Sequence, residues 1–184
     1  SAAAGRQWFV SLDEIGPADT GVKPDADDYW HDEVRYKHLW GNLMAGGAGA
    51  EWYFGYKFPN NDLNCEDWRS RDHLWDLTRY ALEFFHKYLP FTEMAHHDEL
   101  TSTKDSYCFA KPGQIYAVYL PFGDTTTLDM DNNSATFTVQ WYNPRTGGGL
   151  KTGAKTEITG PDPVAIGRPP TDPEKDWVAL IKLK

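Results

Sequence analysis

The sequence predicts an α/β part of the barrel-building kind, residues 1–101, followed by an all-β part, residues 102–184. Three observations lead there. Up to residue 100, apolar runs and helical patterns follow one another as strand, loop, helix, strand, loop, helix, the order of successive units in an α/β fold. Beyond it, short alternating runs recur between turn dipeptides, as in a small antiparallel β-sandwich. The third is the stretch Trp8-Phe9-Val10-Ser11-Leu12-Asp13-Glu14, where an apolar run stops abruptly at two adjacent carboxylates and gives way to Gly16-Pro17 and an acidic loop. A (β/α) barrel presents a catalytic acid at its C-terminal face in this way. Ordinary solvated carboxylates at a strand end give the same local pattern, so the surrounding units have to decide between the two.

Taken in order, residues 8–12 read as a buried strand. Residues 32–44 read as a helix, with Val34, Leu39, Leu43 and Met44 forming an apolar stripe that stops at Gly46-Gly47. Residues 50–54 form a second short strand between Gly49 and Gly55. An irregular polar loop follows to about Arg69. A strong amphipathic helix then spans 71–88, where Leu74, Leu77, Ala81, Phe84, Phe85 and Tyr88 recur at helical spacing and Pro90 ends the run. In the second part, 107–110, 115–120, 125–128, 135–142, 155–158, 164–166 and 177–182 are the expected strands. Phe137, Val139 and Trp141 alternate with Thr136, Thr138 and Gln140, as in a half-buried strand. Pro112-Gly113, Asn132-Asn133 and Asn143-Pro144 supply turns.

Composition narrows the functional classes. With 27 Asp and Glu against 18 Lys and Arg, the chain offers no basic face for nucleic acid or an anionic membrane. No stretch reaches the apolar length of a membrane span, and no charged-then-apolar leader opens the chain. Ser1-Ala2-Ala3-Ala4-Gly5 runs straight into a strand pattern, so the start reads as truncated. The eight tryptophans suit either a buried core or sugar-stacking platforms. Cys65 and Cys108 fall in different parts and are read as two free thiols, with one disulfide as the alternative.

Two β/α units cannot close a barrel, and a pair of parallel strands leaves open edges and an uncovered apolar face. Residues 1–101 therefore call for strands from elsewhere.

Several long motifs resemble one family. Asp13-Glu14-Ile15-Gly16-Pro17, Leu39-Trp40-Gly41-Asn42-Leu43-Met44-Ala45-Gly46-Gly47-Ala48-Gly49 and Glu51-Trp52-Tyr53-Phe54-Gly55 resemble the last two β/α units of apiosidase-like glycoside hydrolases. Asn61-Asp62-Leu63-Asn64-Cys65-Glu66-Asp67-Trp68 and Leu89-Pro90-Phe91-Thr92-Glu93-Met94 fit the same pattern. Tyr107-Cys108-Phe109-Ala110-Lys111-Pro112-Gly113, Trp141-Tyr142-Asn143-Pro144-Arg145-Thr146-Gly147 and Asp176-Trp177-Val178 are similar to the β-sandwich appended to these proteins, which carries a collagen-binding label. The resemblance implies the C-terminal part of a (β/α)8 barrel, with 8–12 as strand seven and 50–54 as strand eight, followed by the sandwich. It implies a carbohydrate substrate, a plant or algal polysaccharide or oligosaccharide, and a retaining mechanism. It also implies a companion barrel segment or chain supplying strands one to six with the acid/base residue, and a secreted or periplasmic setting. Glu14 falls at the nucleophile position. No cofactor or metal is expected.

Glycoside hydrolysis needs two carboxyl groups about 5 Å apart for a retaining outcome. Asp13 and Glu14 are adjacent on an extended segment, where successive side chains point to opposite faces, so they do not form that pair by themselves. Glu14 is taken as the active carboxylate and Asp13 as a residue holding a loop or neighbouring side chain at the substrate site. Trp52 and Tyr53 leave strand eight at the same barrel face, as a sugar platform or as packing beneath the rim. In the polar loop, Asp62 and Trp68 are the substrate-binding candidates, although turn backbone absorbs many such residues.

His96-His97-Asp98-Glu99 lacks the spacing that sets two imidazoles on one helical face, and it reads as a surface linker. Asp129-Met130-Asp131-Asn132-Asn133 has Ser134 and Gln140 where a calcium loop needs Gly and Glu, so a hairpin turn is the reading. The rival function is a non-catalytic carbohydrate- or collagen-binding or scaffolding module. Such a module exposes a row of aromatics, whereas Tyr107, Tyr116, Tyr119, Phe137, Trp141 and Trp177 sit in apolar alternation and are expected in the core. Phe91 and Met94 are expected to be buried, with the sandwich acting as a brace.

Overall fold

A computed structural model describes every residue except 1–4, 6, 7, 9, 131, 132 and 162. The chain forms two compact units, Ser1–Asp76 and Leu77–Lys184.

In the first unit, β1 (Leu12–Ile15) and β2 (Ala50–Trp52) pair in parallel, as successive β/α units require. Leu12 faces Ala50 and Ile15 faces Trp52, so β1 carries one residue more than β2 over the same span. That extra residue makes a bulge, and Glu14 within it has a left-handed φ of 50°. The strand expected at 8–12 thus starts at its last residue. Phe9 lies outside the described residues, while Trp8 and Val10 are 49% and 56% exposed instead of buried. The physical reason is the lack of neighbours: among the described residues, β1 pairs with β2 alone, and an apolar run with no sheet on its other side has nothing to bury against.

The helix expected at 32–44 is present, but its middle, Val34–Trp40, is wound as a π-helix before α1 (Gly41–Met44). Leu39, Leu43 and Met44 are buried as the stripe requires, Val34 is only half-buried, and Trp40, outside the stripe, is fully buried. The wide turn also buries Arg35, which donates to the Trp30 carbonyl and, at 2.7 Å, to the Asp32 carboxylate. The loops after the two strands are laced together. Val22 N donates to the Tyr53 carbonyl at 2.7 Å, and Tyr56 and Lys57 N donate to the Asp19 carbonyl at 3.0 and 2.9 Å. This approach is why Gly21 and Gly55 are glycines: both have positive φ, and a β-carbon on either collides with the facing backbone.

Helix α2 (Asp72–Tyr88) matches the expected 71–88 closely, and the division between the units falls inside it. In the second unit, β3 (Ala95–His96), β4 (Tyr107–Lys111), β5 (Ile115–Leu120), β7 (Thr136–Tyr142), β8 (Glu157–Thr159) and β10 (Trp177–Leu183) form one antiparallel sheet in the order β3-β4-β5-β10-β7-β8. A ribbon of β6 (Thr127–Leu128) and β9 (Val164–Ala165) makes the second layer. All seven expected strands are present, but the second layer has only two of them. Tyr116, Phe137, Trp141 and Trp177 are buried in the core, with Leu128 and Ile166 among the residues facing them. The other face of the sheet is covered by residues of α2. The Phe84 ring lies 5.0 Å from Tyr142 and the Phe85 ring 5.9 Å from Phe109. The Tyr142 hydroxyl donates to the Tyr80 carbonyl at 2.8 Å. With both faces covered, β5 is buried at all six positions, so it reads as a continuous apolar run without alternation.

The bracing residues differ from those expected. Phe91 is 39% exposed and Met94 half-buried, because a 3₁₀ turn (Phe91–Glu93) follows Pro90 and turns Phe91 edge-on to His86. Phe84, Phe85 and Leu89 are the buried residues of this stretch, and they lie within the second unit. Cys65 is exposed and Cys108 buried, both as free thiols. In the linker, the Asp98 carboxylate accepts from Cys108 N at 2.7 Å and His97 Nδ1 lies 2.9 Å from Glu99, so these residues tie β4 down. Asp131 and Asn132 of the expected hairpin lie outside the described residues.

Candidate active site

Asp13 and Glu14 are both exposed at the end of β1, while the next residue, Ile15, is buried. The site is therefore anchored by Ile15 and presented by the bulge. A non-glycine residue at a φ of 50° stores backbone strain, and such strain persists only where the surroundings over-determine it. Here the over-determination comes from pairing on one side and the laced loops on the other.

Tyr53 follows β2 directly. Its hydroxyl donates to the Ala18 carbonyl at 2.8 Å, fixing the ring to the loop after β1. Burial pushes this hydroxyl above its ordinary pKa, and the charges of Asp62, Glu14 and Asp19 push it the same way. Three carboxylates thus act on one phenol, which brings Glu14, Tyr53 and Asp62 into one electrostatic neighbourhood. Trp52, opposite Ile15 in the ladder, is half-buried and belongs more to the packing than to an open platform.

Asp62 serves the backbone: its carboxylate accepts from Phe54 N at 2.8 Å, and its own N donates to the Gly55 carbonyl at 3.1 Å. It clamps the polar loop to the end of β2. Asn61 organises the same loop, accepting from Leu63 and Asn64 N and donating to the Tyr56 and Phe58 carbonyls. Trp68 stands apart, 58% exposed, with the Arg69 guanidinium over its ring and its carbonyl accepting from Trp75 Nε1 at 3.0 Å. Beneath the loop, the buried Arg71 donates to the Val22 and Asn60 carbonyls at 2.9 and 2.8 Å and stacks 4.1 Å from the centroid of Phe54. That cation joins both post-strand loops.

The residues that sequence reasoning passed over lie in the acidic loop. Asp25 accepts from the buried His31 at 2.7 Å through one oxygen and from His73 N at 2.8 Å through the other. Burial holds the His73 imidazole below the usual histidine pKa. Tyr29 and Trp30 surround that ring, half in solvent. The legible signal was the run Tyr29-Trp30-His31 directly after an acidic loop, an aromatic pair with no periodic partner.

Comparison with known proteins bears on both units. Residues 93–182 match the family described as "Putative collagen-binding domain of a collagenase". Among solved structures, a glycoside hydrolase family 5 protein from Bacteroides vulgatus ATCC 8482 superposes with a TM-score of 0.61 at 14% identity, over 83% of this chain and 36% of that one. A second, described as a glycoside hydrolase, superposes with a TM-score of 0.63 at 14% identity, over 83% of this chain and 37% of that one. At this identity the likeness is one of fold. The chain spans little more than a third of each of these structures. Comparison with curated proteins returned no match.

Proposed function

We propose that the chain is the C-terminal portion of a retaining, apiosidase-like glycoside hydrolase acting on a plant or algal polysaccharide or oligosaccharide. In this reading residues 1–101 are its last two β/α units and 102–184 a structural sandwich. The observation that carries it is Glu14: an exposed carboxylate held in a strained bulge at the end of a parallel strand. The fold likeness to two glycoside hydrolases supports it. A companion segment supplies strands one to six and the acid/base residue.

The chemistry follows from those parts. The Glu14 carboxylate attacks the anomeric carbon as the bond to the leaving oxygen breaks, and the partner acid gives that oxygen its proton. Water then attacks the glycosyl ester, passes a proton to the same partner and frees Glu14. Asp62 clamps the polar loop to the end of β2, Tyr53 ties down the loop after β1 through the Ala18 carbonyl, and Asp13, Trp52 and Trp68 complete the substrate-binding set. In the protein carrying the complete barrel, Glu14→Gln is expected to lower kcat roughly 10³-fold or more with the melting temperature unchanged. Wild-type turnover in that variant removes the assignment.

The match over 93–182 favours a second reading, a carbohydrate- or collagen-binding or scaffolding module. Against it, Tyr116, Tyr119, Phe137, Trp141 and Trp177 are all buried and Tyr107 stacks on Tyr119, so these rings form no exposed row.

A further inference from the structure

The aromatic pair at the end of the acidic loop has a geometry of its own. The Tyr29 ring lies flat on His73, with centroids 4.3 Å apart and planes 2° from parallel. One face of Tyr29 is thereby covered, yet the residue is 54% exposed, so the opposite face is open to solvent. Trp30 stands at 83° to Tyr29 and 81° to His73, with centroids 5.1 and 5.5 Å away. It too is half exposed, at 50%. The two rings make a floor and a wall.

The corner is held from beneath. His73 N is fixed by the Asp25 carboxylate, which also binds the buried His31. His31 has a left-handed φ of 46° and donates its own N–H to Asp28 at 3.2 Å. The Trp30 carbonyl receives the buried Arg35 guanidinium. Buried polar groups and a strained backbone are thus spent on keeping two large apolar rings in water, in one orientation.

We propose that the Tyr29–Trp30 corner is a binding subsite for a neutral sugar ring. The apolar C–H face of the sugar lies on the open face of Tyr29 and its edge against the Trp30 indole. The loop selects for charge: the exposed Asp27 stands two residues before Tyr29 in the chain, where its carboxylate accepts hydrogen bonds from hydroxyls and repels uronate, sulfate and phosphate groups, while Asp32 on the other side of the pair is already engaged by Arg35. The choice of a saccharide as ligand rests on the glycosidase reading of the chain. The subsite itself rests on the ring geometry.

The test is isothermal titration of the 184-residue chain with cellohexaose, xylohexaose and hexagalacturonate. At least one neutral hexaose is expected to bind, with the galacturonate at least tenfold weaker. Tyr29→Ala and Trp30→Ala are each expected to weaken binding tenfold or more, and Tyr29→Phe, which keeps the stack on His73, to stay within twofold of wild type. If neither neutral hexaose binds, if the galacturonate binds best, or if both alanine variants bind like wild type, the proposal is overturned. Turnover by Glu14→Gln in the complete protein, with binding still lost in Trp30→Ala, removes the nucleophile assignment and leaves the subsite standing.

Discussion

The two units spend their apolar residues in opposite ways. In residues 77–184 the six-stranded sheet is covered on both faces, and Tyr116, Tyr119, Trp141 and Trp177 are each essentially inaccessible. In residues 1–76 the only sheet among the described residues is a parallel pair, and Trp8, Val10 and Leu12 stand 38–56% exposed along it. Parallel sheets are normally buried on both faces, because their crossover helices cover them. The first unit is organised like a fragment of such a sheet and the second like a finished domain. The strained carboxylate of Glu14 sits in the first of these.

The comparison breaks most easily on the finished side. Phe84 is fully buried against Tyr142, Phe85 and Tyr88, so Phe84→Ala is expected to destabilise the second unit by about 3–5 kcal/mol in urea unfolding. A loss below about 1 kcal/mol means that α2 is not the cover of that sheet face. On the unfinished side the largest single-residue gain is expected at the strained carboxylate. Glycine accepts a φ of 50° without steric cost, so Glu14→Gly is expected to stabilise the first unit by about 1 kcal/mol while abolishing turnover in the complete protein. A destabilised Glu14→Gly variant removes the argument from strain. The pairing of a stability gain with a loss of function is what distinguishes a placed acid from a solvated cap.

Much of the fold was legible because burial and period agree in it. Helix α2 was readable from Leu74, Leu77, Ala81, Phe84 and Phe85, all buried in the structure, and strand β7 from the alternation of Phe137, Val139 and Trp141. Reading failed where tertiary context was missing. The run at 8–12 carries strand composition but lacks the neighbours that complete a buried strand, so the strand proper begins at Leu12, with Val10 held by a 2.8 Å bond from Ala48 N to its carbonyl. The π-winding of Val34–Trp40 was not legible from the apolar stripe, because beside Leu39 and Trp40 it brings the charged Arg35 inside. Phe91 and Met94 resembled buried linker residues, yet the linker turns at Pro90 and Leu89 is the one that packs. At the site, Asp13-Glu14 was visible as an apolar run ending in acids. The Glu14 bulge and the His73 stack were not, since each depends on contacts between residues far apart in sequence, and the backbone duty of Asp62 was not, since it depends on how the polar loop folds back on the end of β2.

Native-state hydrogen exchange on the 184-residue chain tests the central contrast most directly. Amides of β5, β7 and β10 are expected to exchange only through global unfolding of their unit. Those of β1 and β2, which among the described residues pair only with each other, are expected to exchange orders of magnitude faster by local opening. Protection of β1 and β2 equal to that of β10 contradicts the account, because the first unit is then complete without strands from elsewhere.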